Sequence, residues 1–286
     1  MPSLKDIRRR IQSVRNTRQI TTAMKLVAGA KLRKATENAQ SARPYQEALT
    51  RVLSRLAGTS GEGEQPLLQA RPERAEVEFV AFTSDRGLCG GFNSILLRDL
   101  EHRIAAARVE GCRVRVRVFG KKGRDYLVKR RYELTESRIH VTTAEYPEEA
   151  RTLGATLRAD FAEGGVDEVI LCFNRFHSVG VQKPVALPIL PLKLEAGEDA
   201  EPAEYRYEPD ADRILAALIP LYVDTVILQA LLETDAGEYA AKMKAMDAAT
   251  RNATELIDSL TLAYNRARQA AITKELIEIV SAAEAL

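Results

Sequence analysis

Small and apolar residues recur at alternating steps of three and four along the last part of the chain. From Met243 they run through Met246, Thr250, Ala253, Ile257, Leu260, Tyr264, Ala267 and Ala271, which is the seam of a coiled coil. After Pro220 there is no further proline and one glycine, Gly237, so the pattern predicts one helix from there to the end. At 1.5 Å per residue such a helix is roughly 100 Å long, several times the width of a small domain. Most of it therefore needs a partner helix, and beyond that a partner protein.

The start of the chain repeats the pattern. Ser3 with Asp6 in the first turn marks a helix start, and Leu4, Ile7, Ile11 and Val14 step by three and four. The seam turns polar around Arg18 and Thr21, resumes through Ile20, Met24 and Val27, and continues one position over at Ala28, Leu32, Ala35, Ala39 and Ala42. That shift predicts a stutter in the supercoil. Alanine at so many seam positions in both arms, Ala253, Ala267 and Ala271 included, allows close approach of the backbones, and the two arms are expected to pair antiparallel. Pro44 is placed to kink the first arm, and the turn-rich run 58–66 to end it.

Between the arms the period changes to two. Val77, Phe79, Ala81 and Thr83 alternate as in a strand, SDRGLCGGFN makes a turn, and residues 95–108 read as a helix. RVRVRV at 113–118 predicts a half-buried strand with its arginines on the wet face. Helical patterns follow at 121–130 and 148–163 with a short strand at 138–141 between them, and 166–173 reads as a buried parallel strand with another at 179–185. Strands alternating with helices imply a mainly parallel sheet. The division expected is an N-terminal coiled-coil helix 1–58, a linker 59–75, a Rossmann-like α/β domain 76–194, an acidic linker 195–212 and a C-terminal coiled-coil helix 213–286. The fold class is thus α/β plus a long antiparallel α-helical coiled coil, the α/β domain being inserted between its two arms.

Composition adds one thing to this outline. The net charge of +2 hides a basic first arm: residues 1–55 hold thirteen Lys or Arg against three acids, while residues 221–286 hold six against ten. The basic residues Lys5, Arg8, Arg9, Arg10, Arg15 and Arg18 suit a solvated face, acidic protein loops or nucleic-acid phosphates. The arm has no aromatic residue before Tyr45, so base stacking is not on offer. A charged N-terminus and proline-broken apolar runs predict neither a signal peptide nor a membrane span. Cys89, Cys112 and Cys172 are odd in number and widely spaced, which argues against disulfides and zinc and fits a reducing cytosol.

Candidate chemistry is thin. GLCGGFN matches neither GxGxxG nor GxxxxGK[ST] and carries no lysine, so it reads as a structural turn with Asp85 and Arg86 in local contacts, not a phosphate loop. His102, His140 and His177 are scattered, and none is near Cys89 in sequence. No catalytic, cofactor-binding or metal site is expected. Ile272, Leu276, Ile279, Ala283 and Leu286 extend the last helix as an apolar tip, with Ile277, Val280 and Ala282 on its other faces. Such a tip is either a frayed end or a plug for an apolar collar in another protein. Three classes of function stay open on these features: a partner-bound rod, a coiled-coil adaptor for nucleic acid, and, from the Gly-rich turn alone, a nucleotide-binding enzyme.

Five motifs in order give a resemblance over nearly the whole chain: ITTAMKLVAGAKLRKA at 20–35, RPY at 43–45, SDRGLCGGFN at 84–93, YRYEPD at 205–210 and LTLAYNRARQAAITKELIEIV at 260–280. With these the chain resembles the gamma subunits of the bacterial F-type ATP synthases. The resemblance implies the central stalk, or rotor shaft, of a proton-translocating complex, itself non-catalytic and without a cofactor, peripheral at the cytoplasmic face of the plasma membrane. It implies the alpha and beta subunits, the epsilon subunit and the membrane rotor ring of c subunits as partners, no nucleic acid, and membrane contact only through the complex. Residue by residue, it implies that Met24, Lys25, Arg268 and Gln269 meet the alpha/beta ring. Tyr205, Tyr207 and Glu208 would lie near the rotor ring and epsilon, and Ile272, Leu276 and Ile279 in an apolar bearing. Two departures stand out. Gly237 with Glu238 replaces the family's Ser-Glu, predicting a locally softer helix, and Asp247 with Arg251 exchanges the charges of a Lys and Asp pair. With no cysteine after Cys172, no thiol switch is expected.

Overall fold

The computed structural model describes residues 3–57, 65–193 and 210–284. Its elements are α1 Leu4–Ala57, a short 3-10 turn Pro66–Leu68, β1 Glu76–Phe82, α2 Phe92–Val109, β2 Arg113–Phe119, α3 Lys121–Lys129, β3 Glu136–Arg138, α4 Tyr146–Ala162, β4 Glu168–Ser178, β5 Val181–Leu190 and α5 Ala211–Glu284. They form two compact units, one of Met1–Gly29 with Lys242–Leu286 and one of Ala30–Ala241. Both long helices run through both units.

In the larger unit the strands lie in the order β3-β2-β1-β4-β5. The first four are parallel and β5 returns antiparallel on β4. Alternation on β1 sends Val77, Phe79 and Ala81 to one face, where Leu96, Leu100 and Ile104 of α2 and Leu127 of α3 cover them. Val80 and Phe82 go to the other, with Leu153, Leu157 and Phe161 of α4. Leu49, Leu53 and Leu56 of α1 and Leu215 to Ile227 of α5 complete that second core. Each fully buried phenylalanine here contributes about 2–3 kcal/mol.

With both faces covered, RVRVRV cannot keep all of its arginines wet. Arg113 is exposed, Arg115 is half-buried, and Arg117 is buried under α4. Arg117 donates to Glu78 on β1 at 2.5 Å, Glu136 on β3 at 2.9 Å and Asp160 on α4 at 2.7 Å. Burial pushes the Glu78 carboxyl upward, opposed by Arg117, and its second oxygen has no partner among the described residues.

Pro220 lies inside α5, so the last helix begins earlier than its proline suggested. By length and composition α5 is also apolar enough to cross a membrane, which the sequence reading did not foresee. Its apolar residues Leu215, Ile219, Val223, Val226 and Ile227 are buried in the core, as in the core helix of a globular unit.

The SDRGLCGGFN turn is held by its own side chains. Ser84 N–H donates to Asn93 Oδ1 at 3.0 Å, and Asn93 Nδ2 returns to Ser84 Oγ at 2.7 Å. Asp85 accepts the backbone N–H groups of Lys121 and His140 at 2.8 and 3.0 Å. Its acceptors are thus used to fix two neighbouring chain segments.

Gly237 also has a packing role. A Cβ there would sit 2.8 Å from the ring edge of Phe92, which is itself buried.

Candidate functional site

The smaller unit is a pair of antiparallel helix segments. Ser3 and Asp6 cap α1 reciprocally, Ser3 Oγ donating to the Asp6 carboxylate at 2.7 Å and Asp6 N–H to Ser3 Oγ at 3.2 Å. Facing residues fall in number on α5 as they rise on α1. Arg8 donates to Tyr264 OH at 2.8 Å, the hydroxyls of Thr21 and Thr250 are 2.8 Å apart, and Lys25 Nζ is 2.6 Å from Asp247 Oδ1. A Cβ on Gly29 would meet Met243 Sδ at 3.5 Å.

On α5 every seam position from Met243 to Ala271 is buried or half-buried, as the periodicity predicts. On α1 the apolar detour does not exist. The buried or half-buried stripe is Leu4, Ile7, Ile11, Val14, Arg18, Thr21, Lys25 and Ala28, an unbroken alternation of three and four. Ile20 and Val27 face outward at 60% and 58% exposure. The stutter is therefore absent: polar residues keep the register because the seam supplies them with partners, Thr250 for Thr21 and Asp247 for Lys25. Ala253 is buried, whereas Ala267 and Ala271 are half-buried.

Asp247 is a shared acceptor. It takes Lys25 from the other helix and Arg251 from its own next turn, and these contacts, Lys25 first, hold its carboxyl below the usual range. Lys25 thus has one donor committed within the pair. Met24 beside it is half-buried, and Arg268 and Gln269 are exposed.

Beyond Ala271, α5 continues to Glu284 past the helical start of α1 at Leu4. Ile272, Leu276, Ile277, Ile279 and Val280 are all about half exposed or more, Ile279 reaching 65%. The steps 272, 276, 279 make one stripe and 277, 280 the next, so the apolar surface wraps more than one side. Ile20 and Val27, expected in the seam, and Leu26, to which the sequence assigned no role, are exposed apolar residues on α1. Their signal was present: they stand off the three-and-four stripe that Ile7, Ile11 and Ala28 define. Tyr205, Tyr207 and Glu208, and most of the acidic linker, lie outside the described residues.

The family model described as ATP synthase matches residues 3–286. The chain is 45% identical to the ATP synthase gamma chain of Desulforamulus reducens and 47% identical to that of Phenylobacterium zucineum, each over 100% of both chains. Among solved structures it is similar to a chain of the mitochondrial ATP synthase of Euglena gracilis, at 19% identity and TM-score 0.67, covering 99% of this chain and 94% of that one. It is also similar to a chain in the central stalk and c-ring structure of the Tetrahymena thermophila enzyme, at 24% identity and TM-score 0.61, covering 80% and 99%. These two carry the fold.

Proposed function

Because the chain belongs to the family of ATP synthase gamma chains, we propose that it is the central-stalk subunit of that complex, a shaft whose rotation imposes conformational change on catalytic sites carried by other subunits. The observation that carries this reading is the exposed apolar tip of α5, continued past the start of its partner helix. An apolar surface of that kind is stable when a collar in another protein covers it. Ile272, Leu276 and Ile279 are the residues assigned to that bearing.

The shaft must touch the open and closed states of the surrounding subunits unequally, since a shaft with equal contacts shifts no equilibrium. The outward residues Ile20, Leu26 and Val27 support such contact on α1, beside Met24 and Lys25. Arg268 and Gln269 offer exposed polar groups on α5. Together these four, Met24, Lys25, Arg268 and Gln269, are assigned to the alpha/beta ring. Tyr205, Tyr207 and Glu208 are assigned to the epsilon subunit and the ring of c subunits. The chain is non-catalytic and sits at the cytoplasmic face of the membrane through its complex. Within it the coiled-coil arms, 1–58 and 213–286, are the shaft, and the α/β domain 76–194 is the foot.

Reconstitution with alpha and beta subunits tests this. The chain should co-purify as a minor component of an ATPase and have no ATPase activity alone. Aspartate at Ile272, Leu276 and Ile279 together should leave the isolated chain folded and abolish stable assembly or coupling. A triple variant that assembles and couples normally would count against the bearing, and a chain that never binds the ring would sink the shaft.

A further inference from the structure

In the shaft reading, on which this inference rests, rotation must cross between the α/β domain and α5 inside the larger unit. Much of the contact there is apolar, with Leu153, Leu157 and Phe161 of α4 in one core with Val223, Ile227 and Leu231 of α5. Burial of that kind is non-directional, so it holds the helix close while a small turn about its axis keeps most of it. Hydrogen bonds have direction, and three carboxylates on this part of α5 accept them.

Two of these face α4. Arg158 Nη1 donates to Asp224 Oδ1 at 2.5 Å and to Pro220 O, one turn earlier on α5, at 3.0 Å. The Arg158 and Asp224 side chains are only 17% and 18% exposed. A Cβ on Gly154 would lie 2.1 Å from Asp224 Oδ1, so the carboxylate sits in a notch of α4 that any side chain at that position would fill. Asp235 accepts from Tyr146 OH at 2.9 Å and from Thr143 Oγ at 3.0 Å. Asp224 and Asp235 are about three helical turns apart and therefore on one face of α5.

Glu233 stands about two and a half turns from Asp224, which puts it on the opposite face. There its carboxylate takes the Phe176 N–H of β4 and Arg43 of α1, each at 3.2 Å. The α/β domain thus bonds α5 on two opposite sides. Contacts on opposite sides of an axis can form a couple, which turns a rod without pushing it sideways.

We propose that Asp224, Asp235 and Glu233 are positioning residues that lock α5 in angle to the α/β domain, so that rotation passes between domain and shaft without slip.

Rotation under load tests the lock. The chain is assembled with alpha and beta subunits, the ring is fixed to a surface, and a bead is attached to the α/β domain through Val109→Cys, an 89% exposed position in a chain whose own cysteines are buried. Asp224→Ala with Asp235→Ala releases one face of α5 while keeping a strong helix former at both positions. Asp224→Asn with Asp235→Asn retains a side-chain acceptor at each. ATP should drive a small bead at wild-type speed in all three proteins, and the alanine pair alone should lose rotation of a large bead, whose viscous drag is higher. Wild-type behaviour of the alanine pair on both beads would overturn the lock, and so would equal slowing on both, the mark of a merely structural defect. Loss of the large bead by the asparagine pair as well would overturn the role of the acceptors. Should circular dichroism show the alanine pair unfolded, Tyr146→Phe with Arg158→Met strips the donors instead, and the same outcomes decide. A wild-type assembly that turns neither bead would sink the shaft reading, and the lock with it.

Discussion

Lys25 Nζ and Asp247 Oδ1 lie 2.6 Å apart across the helix pair, Lys25 standing at a seam position of α1 where an apolar seam would have put a hydrophobic side chain. The same carboxylate takes Arg251, so one acidic group joins the two helices and stiffens a turn of its own.

Acid should loosen this joint. The contacts with Lys25 and then Arg251 keep the folded pKa of Asp247 below its unfolded value. The contribution to stability is therefore complete above the ordinary aspartate range and is lost as pH falls through the lower folded value. Thermal unfolding from neutral pH downward should show wild type above Asp247→Asn at neutral pH, the gap closing in acid. A gap that stays constant with pH would mean the charge is not what matters.

Removing Arg117 should be far more damaging than removing a surface arginine. Arg117→Leu leaves Glu78 buried and uncompensated, which costs about 3–5 kcal/mol for a broken buried pair. Glu78→Gln keeps a polar group opposite Arg117 and removes the buried charge, so its cost should be smaller. Denaturant titration of the two variants orders them. The reverse order would remove the ion network from the account of the core.

Gly237→Ala sets two effects against each other. Helix propensity favours alanine by about 1 kcal/mol, while a methyl 2.8 Å from the Phe92 ring edge overpacks the core at about 1–3 kcal/mol. The net change should be destabilising. It should turn stabilising when Phe92→Leu is made first, since the clash is gone and the propensity remains. A double-mutant cycle on unfolding free energies reads this directly.

The three cysteines should be silent toward thiol reagents in the native chain. All are buried, and burial pushes the Cys172 thiol up to about 12, so thiolate is scarce at neutral pH. Alkylation should appear only on unfolding. Rapid labelling of native Cys172 would contradict the burial.

Most of the framework was legible because it is written in side-chain size. Ile257, Tyr264 and their neighbours announce the C-terminal seam, and Val77 to Ala81 announce a strand. What stayed hidden depends on pairs distant in sequence. Arg18 and Thr21 read as a gap until Thr250 stands opposite Thr21 and Asp247 opposite Lys25, and the apolar Ile20 and Val27 beside them invited a detour that the helix does not take. Arg117 reads as solvent-facing until α4 and Glu78 enclose it. Gly237 reads as weakness until Phe92 fills its space. At the candidate interface, the apolar tip was visible in the sequence, whereas Ile20 and Val27 on the outward side of α1 were misread as seam.

The helix that passes the start of its companion at Leu4 has a mechanical consequence. Along the paired length, bending must stretch one helix and compress the other, and cross-ties such as Lys25 to Asp247 oppose the sliding that would relieve it. Past Ala271, among the described residues, one helix alone resists bending, and a single cylinder is far more compliant than two joined side by side. The stiff portion of the rod is therefore suited to carry lateral load. The free end is suited to be centred by its surroundings, and it yields first when they push unevenly.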